Sequence, residues 1–310
     1  MEIQTENGLR QALTFLEEGN PVQAQAEIGK LFEKDLDCQE LSYANRCCVF
    51  WIDTMKRLSE VQDPFEQGVK LLDEWKSFQS FLNREQIVYE PALYSVQKGF
   101  FTMLRKHFTA LFEEKDPQRK AEIYKNAGIC YKKTGDFENA RACLSEANTI
   151  CPQIASVIAE LADCYSLCGE ERPGKVLFRE AFFIDPEKID IENLDSELIK
   201  CLINKTTEKG FKGKILQLWM PVYGVLTGIL NVRRVLSSQE VGRLKQNIYA
   251  MENEFKDPSC NSAVLIPKLL NNYFWLIDHY VLTHEDVHKI NEILLKIKIL
   301  DSNIYAAYVK

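Results

Sequence analysis

The sequence predicts an all-α fold: an α-solenoid of antiparallel helix pairs with irregular flanking helices. Three observations predict it. Apolar residues recur at steps of three and four along most of the 310 residues. No alternation of polar and apolar residues persists long enough for a strand. One segment recurs at a spacing of 34 residues. The composition agrees, since 14 Gly and 10 Pro are few for an all-β chain full of tight turns. A hydrophobic share of 46% with 27% charged residues excludes wholesale disorder. Length alone suggests two domains at roughly 150 residues each, but stacked repeats grow without splitting into separate cores.

The elements are legible in order. Leu41, Ala44, Cys48, Trp51, Met55 and Leu58 make one apolar helical stripe. Asp63-Pro64-Phe65-Glu66 reads as a helix start, with a capping Asp, a Pro in the first turn and a Glu three residues on. Asp116-Pro117 repeats that signal, and Thr134-Gly135-Asp136 reads as the stop and restart of a helical hairpin. Ser237-Ser238-Gln239-Glu240 is a capping box. Tyr273–Ile277 is an aromatic cluster in a helix expected to begin near Pro267. Thr283 is expected to cap a final helix with the stripe Val287, Ile290, Leu294 and Ile297.

The repeat aligns two units. The first carries Tyr124, Ala127, Gly128, Tyr131, Gly135, Ala140, Leu144, Ala147 and Pro152. The second carries Ile158, Leu161, Ala162, Tyr165, Gly169, Gly174, Phe178, Ala181 and Pro186, each shifted by 34. This pattern resembles the tetratricopeptide repeat family, in which small residues sit where two helices approach and large ones fill the gaps around them. Ala127 and Ile158 depart from it, standing where Leu and Trp are usual. Thr5–Leu36 resembles a degenerate unit through Ala12, Phe15, Gly19, Ala24, Ile28 and Leu31, and Ile199, Leu202, Gly210, Ile215 and Trp219 resemble another. The expected organisation is therefore N-terminal helices over 1–120, two clear units over 121–188, and degenerate repeats with capping helices over 189–310, stacked in one right-handed superhelix.

The resemblance implies a concave groove lined by the first helix of each unit. The matching positions are Glu122, Lys125, Ile129, Lys132 and Lys133, then Ser156, Ala159, Glu160, Asp163 and Leu167. That surface is basic at one unit and acidic at the next. Some family members hold the acidic tail of a chaperone with a Lys and two Asn. Lys125 matches the Lys, but Ile129 and Glu160 replace the Asn residues, and a carboxylate at Glu160 repels such a tail.

Candidate chemistry is sparse. His284-Glu285-Asp286-Val287-His288 matches the H-E-x-x-H zinc-helix motif, with Glu292 one turn further on. It opens directly after Thr283, so an exposed helix start is the simpler reading. No phosphate-binding or nucleophile-elbow motif occurs. Ile215–Val232 is uncharged, flanked by Lys212, Lys214, Arg233 and Arg234, and holds Gly224 and Gly228 in a G-x-x-x-G. Gln217, Pro221, Thr227 and Asn231 interrupt it, which favours a buried helix over a membrane segment.

The formal net charge of −7 argues against a nucleic-acid binder. The opening Met1–Glu6 has no basic run and no apolar stretch, so no secretory leader is read there. The ten cysteines include no C-x2-C pair and read as free thiols packed as small apolar residues in a reducing cytoplasm. The sequence therefore suggests a non-enzymatic scaffold for a protein or peptide partner, with no metal or other cofactor. A membrane-associated component built on 215–232 is the alternative, and a zinc enzyme built on His284 and His288 the remoter one.

Overall fold

The computed structural model describes residues 3–35, 37–82 and 88–309. Met1, Glu2 and Leu36, which belong to the opening and the first degenerate unit read above, lie outside the described residues. Among the described residues there are fifteen α-helices and no strands. The chain divides into two compact units, Met1–Pro152 and Gln153–Lys310.

The first unit holds α1 (Ile3–Glu17), α2 (Pro21–Phe32), α3 (Gln39–Leu58), α4 (Pro64–Leu82), α5 (Glu90–Thr109), α6 (Pro117–Lys133) and α7 (Phe137–Ile150). The expected starts are present. Asp63 accepts a hydrogen bond from Phe65 N at 2.9 Å, and Asp116 accepts one from Arg119 N at 2.8 Å. The stripe on α3 is buried at Leu41, Ala44, Cys48, Trp51 and Leu58. Trp51 meets Phe100 at 4.2 Å between centroids, and Trp75 meets Phe101 edge-on at 4.9 Å. These rings fill the space among α3, α4 and α5 with large rigid surfaces.

The second unit holds α8 (Ala155–Leu167), α9 (Glu171–Ile184), two short 3-10 turns at Pro186–Lys188 and Ile191–Asn193, α10 (Glu197–Thr207), α11 (Gly213–Leu226), α12 (Ser238–Glu254), α13 (Ser262–Leu282), α14 (Val287–Leu300) and α15 (Ser302–Tyr308). Helix α13 is its central element and packs against α11, α12 and α14. Tyr273 through Ile277 are all buried there, so this aromatic cluster is core. The helix begins at Ser262, not near Pro267. A proline in the second turn removes one N–H from the ladder without ending the helix. Helix α14 is capped by Asp286 and begins at Val287, while Thr283 terminates α13. It is also not the final helix, since α15 follows it.

The two 34-residue segments each form a tight helical hairpin, α6–α7 and α8–α9. A Cβ added at Gly128 would lie 2.7 Å from Leu144 Cγ, and one at Gly174 would lie 2.1 Å from Ser166 Oγ. The small residues therefore stand where the paired helices come closest. The tightest approach belongs to α5 and α1, where a Cβ on Gly99 would lie 1.9 Å from the carbonyl oxygen of Leu16.

Two glycine replacements with opposite outcomes test this packing. Gly99→Ala must push backbone apart and should destabilise the chain by about 3 kcal/mol. Gly29→Ala, on an exposed turn of α2 with nothing within 4 Å of the added carbon, should stabilise it by about 0.5–1 kcal/mol. Urea denaturation of both variants checks the pair.

Candidate partner-binding face

The ten expected groove residues separate by burial. On α6, Ile129 and Lys132 are buried, at 4% and 3% exposure, while Glu122, Lys125 and Lys133 are half-buried. Lys125 and Glu122 form an ion pair one turn apart on that helix. On α8, Ala159, Glu160 and Asp163 are buried, and Ser156 and Leu167 are half-buried. Of the ten, those that retain a solvent-facing part are thus Glu122, Lys125, Lys133, Ser156 and Leu167.

Asp163 has a specific internal task. Its carboxylate accepts from Asp195 N and Ser196 N, both at 2.9 Å. These are the backbone groups entering α10, and the carboxylate orients them where Ser196 supplies no side-chain cap. Burial of a carboxylate requires such partners.

The uncharged segment 215–232 is not one helix. It comprises residues 215–226 of the fourteen-residue α11 and a turn that folds back on that helix. Gly228 has φ +74°, and Leu230 N donates to Gly224 O at 2.8 Å. A Cβ at Gly224 would meet the Leu230 side chain at 2.7 Å. Both glycines therefore serve this local return. Among the described residues no helix is long and apolar enough to cross a membrane.

The two histidines of H-E-x-x-H do not share a helix. His284 stands in the turn before α14 with φ +53°, and the helix starts three residues later. A spacing of four places two side chains on one face only within a continuous helix. Among the described residues no group of three His, Cys, Asp or Glu side chains is placed to hold a metal ion.

Sequence reasoning missed the polar interior of the second unit. Arg179 on α9 and Asp278 on α13 form an ion pair with both side chains at or below 5% exposure. Arg179 also donates to Leu230 O at 2.6 Å and lies over the Trp275 ring at 4.9 Å. Arg233 reaches the other Asp278 oxygen at 2.9 Å. Burial raises the Asp278 pKa, and the two arginines oppose that rise. Beside it, Arg234 bridges Glu180 and Glu240. Glu240 closes the expected capping box, with Ser237 N donating to it at 2.7 Å. The Arg234 hydrogen bond holds the Glu240 carboxyl well below its ordinary 4.5, at about 2. A signal for this network was present, because Asp278 is the lone acidic residue between Leu269 and Leu282.

An open cavity of about 370 Å³ lies in the same unit, among α9, α11, α12 and α13. Asn247, Met251, Lys268, Asn271 and Asn272 contribute to its wall. Asn271 donates to Phe182 O at 3.1 Å, and Lys268 pairs with Glu187 at 2.6 Å. These groups can offer hydrogen bonds to a bound segment, but they form no pairing of nucleophile and base. Comparison with protein-family models finds none that matches this chain, and a search of curated proteins finds no match.

Asp163→Ala should leave two N–H groups without an acceptor and destabilise the chain by about 2–3 kcal/mol in urea titration. Asp163→Asn keeps one acceptor oxygen and should recover part of that loss.

Glu240 sets an acid limb. Its pKa is depressed from 4.5 to about 2, so its contribution is full above the unfolded value and is lost as pH falls toward 2. After screening at a partly exposed site, Glu240→Gln should cost about 1–2 kcal/mol at neutral pH. The difference from wild type should vanish near pH 2, as read by thermal melts across that range.

Proposed function

We propose that the chain is a non-enzymatic interaction scaffold of tetratricopeptide-repeat type, an α-solenoid that binds a protein or peptide partner. The observation carrying this reading is the recurrence of one helical hairpin, with glycine turns at Gly135 and Gly169 and close approaches at Gly128 and Gly174. Rigid hairpins of this kind hold side chains at fixed spacing, so a partner can be met without ordering the surface first. Each unit by itself offers half-exposed positions for a partner contact: Glu122, Lys125 and Lys133 on α6 in the first, and Ser156 and Leu167 on α8 in the second. The mechanism is display of a preformed surface, with no bond made or broken.

Affinity capture from native lysate tests the reading. The wild-type chain is compared with a Lys125→Glu/Lys133→Glu variant, leaving buried Lys132 untouched. The expected result is at least about a five-fold loss of a captured partner, as for removal of charges at the centre of an interface. A variant that retains every partner at wild-type level refutes the α6 assignment.

A further inference from the structure

The reversal between α10 and α11 carries four lysines, Lys205, Lys209, Lys212 and Lys214, against one carboxylate, Glu208. Lys205 is half-buried and the other three are exposed. Among the described residues none of the four has a carboxylate within ion-pair distance, although Lys200 just before them pairs with Glu197 at 3.9 Å, and lysines elsewhere, such as Lys98, Lys268 and Lys296, pair with Glu. This is a local cationic excess in a chain of net charge −7.

The internal needs of the fold account for only part of it. Lys205 lies in the last turn of α10, where a cation suits the helix dipole, and Lys209 lies over the Tyr223 ring at 6.0 Å. Lys212 and Lys214 flank the start of α11, where the same dipole disfavours them, and no acidic residue stands in that first turn. Lys212 occupies the N-cap position without making a side-chain cap, where Ser, Thr, Asp or Asn would stabilise the helix. Residues that cost stability locally without compensation mark a requirement from outside the fold.

The shape of the turn selects among anionic partners. Phe211, its one large apolar residue, is drawn inward and stacks on Trp219 at 4.7 Å. Gly210 and Gly213, at φ +88° and +55°, make the reversal tight. What remains exposed at the turn is a set of lysines with no exposed apolar anchor. A peptide ordered on such a tip would gain no enclosing walls to offset its lost freedom. An extended anionic surface can engage several of these cations and need not itself be ordered.

We propose that the α10–α11 turn is a peripheral docking site for an anionic lipid bilayer, held by Lys205, Lys209, Lys212 and Lys214. The contact is electrostatic and superficial, consistent with α11 being buried in the second unit. It is independent of the scaffold reading, which concerns α6 and α8.

Cosedimentation of the full chain with lipid vesicles tests this. The probes are phosphatidylcholine vesicles with and without about 30% phosphatidylserine, at ionic strengths of about 0.05 and 0.5 M. The expected result is binding to the phosphatidylserine vesicles alone, lost at the higher salt. Lys209→Glu/Lys212→Glu/Lys214→Glu should lower the partition constant at least about ten-fold. Arg172→Glu/Lys188→Glu/Arg243→Glu, with the same change in net charge elsewhere on the second unit, should bind as wild type. Circular dichroism confirms that both variants are folded. Equal binding to both vesicle types, no binding to either, an unaffected lysine variant, or equal loss in the control variant would overturn the proposal. Capture of the wild type by a polyglutamate peptide, without vesicle binding, would assign the turn to an acidic protein segment instead.

Discussion

A helix that ends leaves carbonyl groups without partners, and among the described residues that constraint is met in the same way at four helix ends. At Gly19, Gly135, Gly169 and His284 the backbone enters the left-handed region, with φ between +53° and +82°. Each of these residues donates its N–H three positions back, and the next residue donates five positions back, to Phe15, Tyr131, Tyr165 and Tyr280 respectively. This Schellman arrangement satisfies two terminal carbonyls and reverses the chain within a few residues. The helix pairs depend on it: α1–α2, α6–α7, α8–α9 and α13–α14 are all joined through it. Where the residue after the reversal is Asn20 or Asp136, its side chain also caps the next helix. One turn thus closes one helix and opens the other.

Short turns force partners into contact, and the side chains at the crossing then decide how close they come. In the first unit the answer is small residues, culminating in the backbone-to-backbone approach of Gly99 to Leu16. In the second unit α13 is additionally tied to α9 by the buried pair of Asp278 with Arg179. Such a pair adds little net stability, because desolvating both charges offsets most of their attraction. Its effect is on geometry: with Arg179 spanning Leu230, Trp275 and Asp278, sliding α9 along α13 would strand a buried charge. Apolar contacts alone tolerate such sliding far better.

The helices were readable because their signals are local. Capping residues at Asp63, Asp116, Asp136 and Ser237 act within three residues of themselves, and the structure contains each cap. Local spacing is less informative where the backbone changes state. H-E-x-x-H assumes one helix through five residues, and His284 breaks it by taking the left-handed position that glycine fills elsewhere. The aromatic residue four positions before each reversal was a usable signal for that turn, and Tyr280 completes the set. The uncharged run at 215–232 does enter a buried helix, as expected, but the helix ends at Leu226, and composition is blind to the reversal at Gly228. Burial of the inner-face residues was the least legible feature. Periodicity assigns residues to a helical face, and it does not say what covers that face. Asp163 reads as a surface carboxylate until the backbone of Asp195 and Ser196 is placed against it.

The same distinction applies to charge. Asp185, Glu187, Asp190, Glu192, Asp195 and Glu197 form an acidic run leading into α10, almost as dense as the lysine run that leaves it. By count the two look equivalent, yet the fold uses them differently. Asp185 accepts from Glu187 N at 3.0 Å, Asp190 from Asn193 at 3.0 Å, and Glu187 pairs with Lys268 at 2.6 Å. Glu197 stands in the first turn of α10, where the helix dipole favours a carboxylate. The acidic run is therefore largely spent on turns and on a helix start, which is what irregular backbone between helices requires. The lysine run is less engaged: Lys205 suits the end of α10 and Lys209 lies over the Tyr223 ring at 6.0 Å, but Lys212 and Lys214 face the wrong end of a dipole. Two segments of similar charge density thus differ in how much of their charge remains for the exterior. That remainder, not net charge, is the quantity an approaching surface encounters.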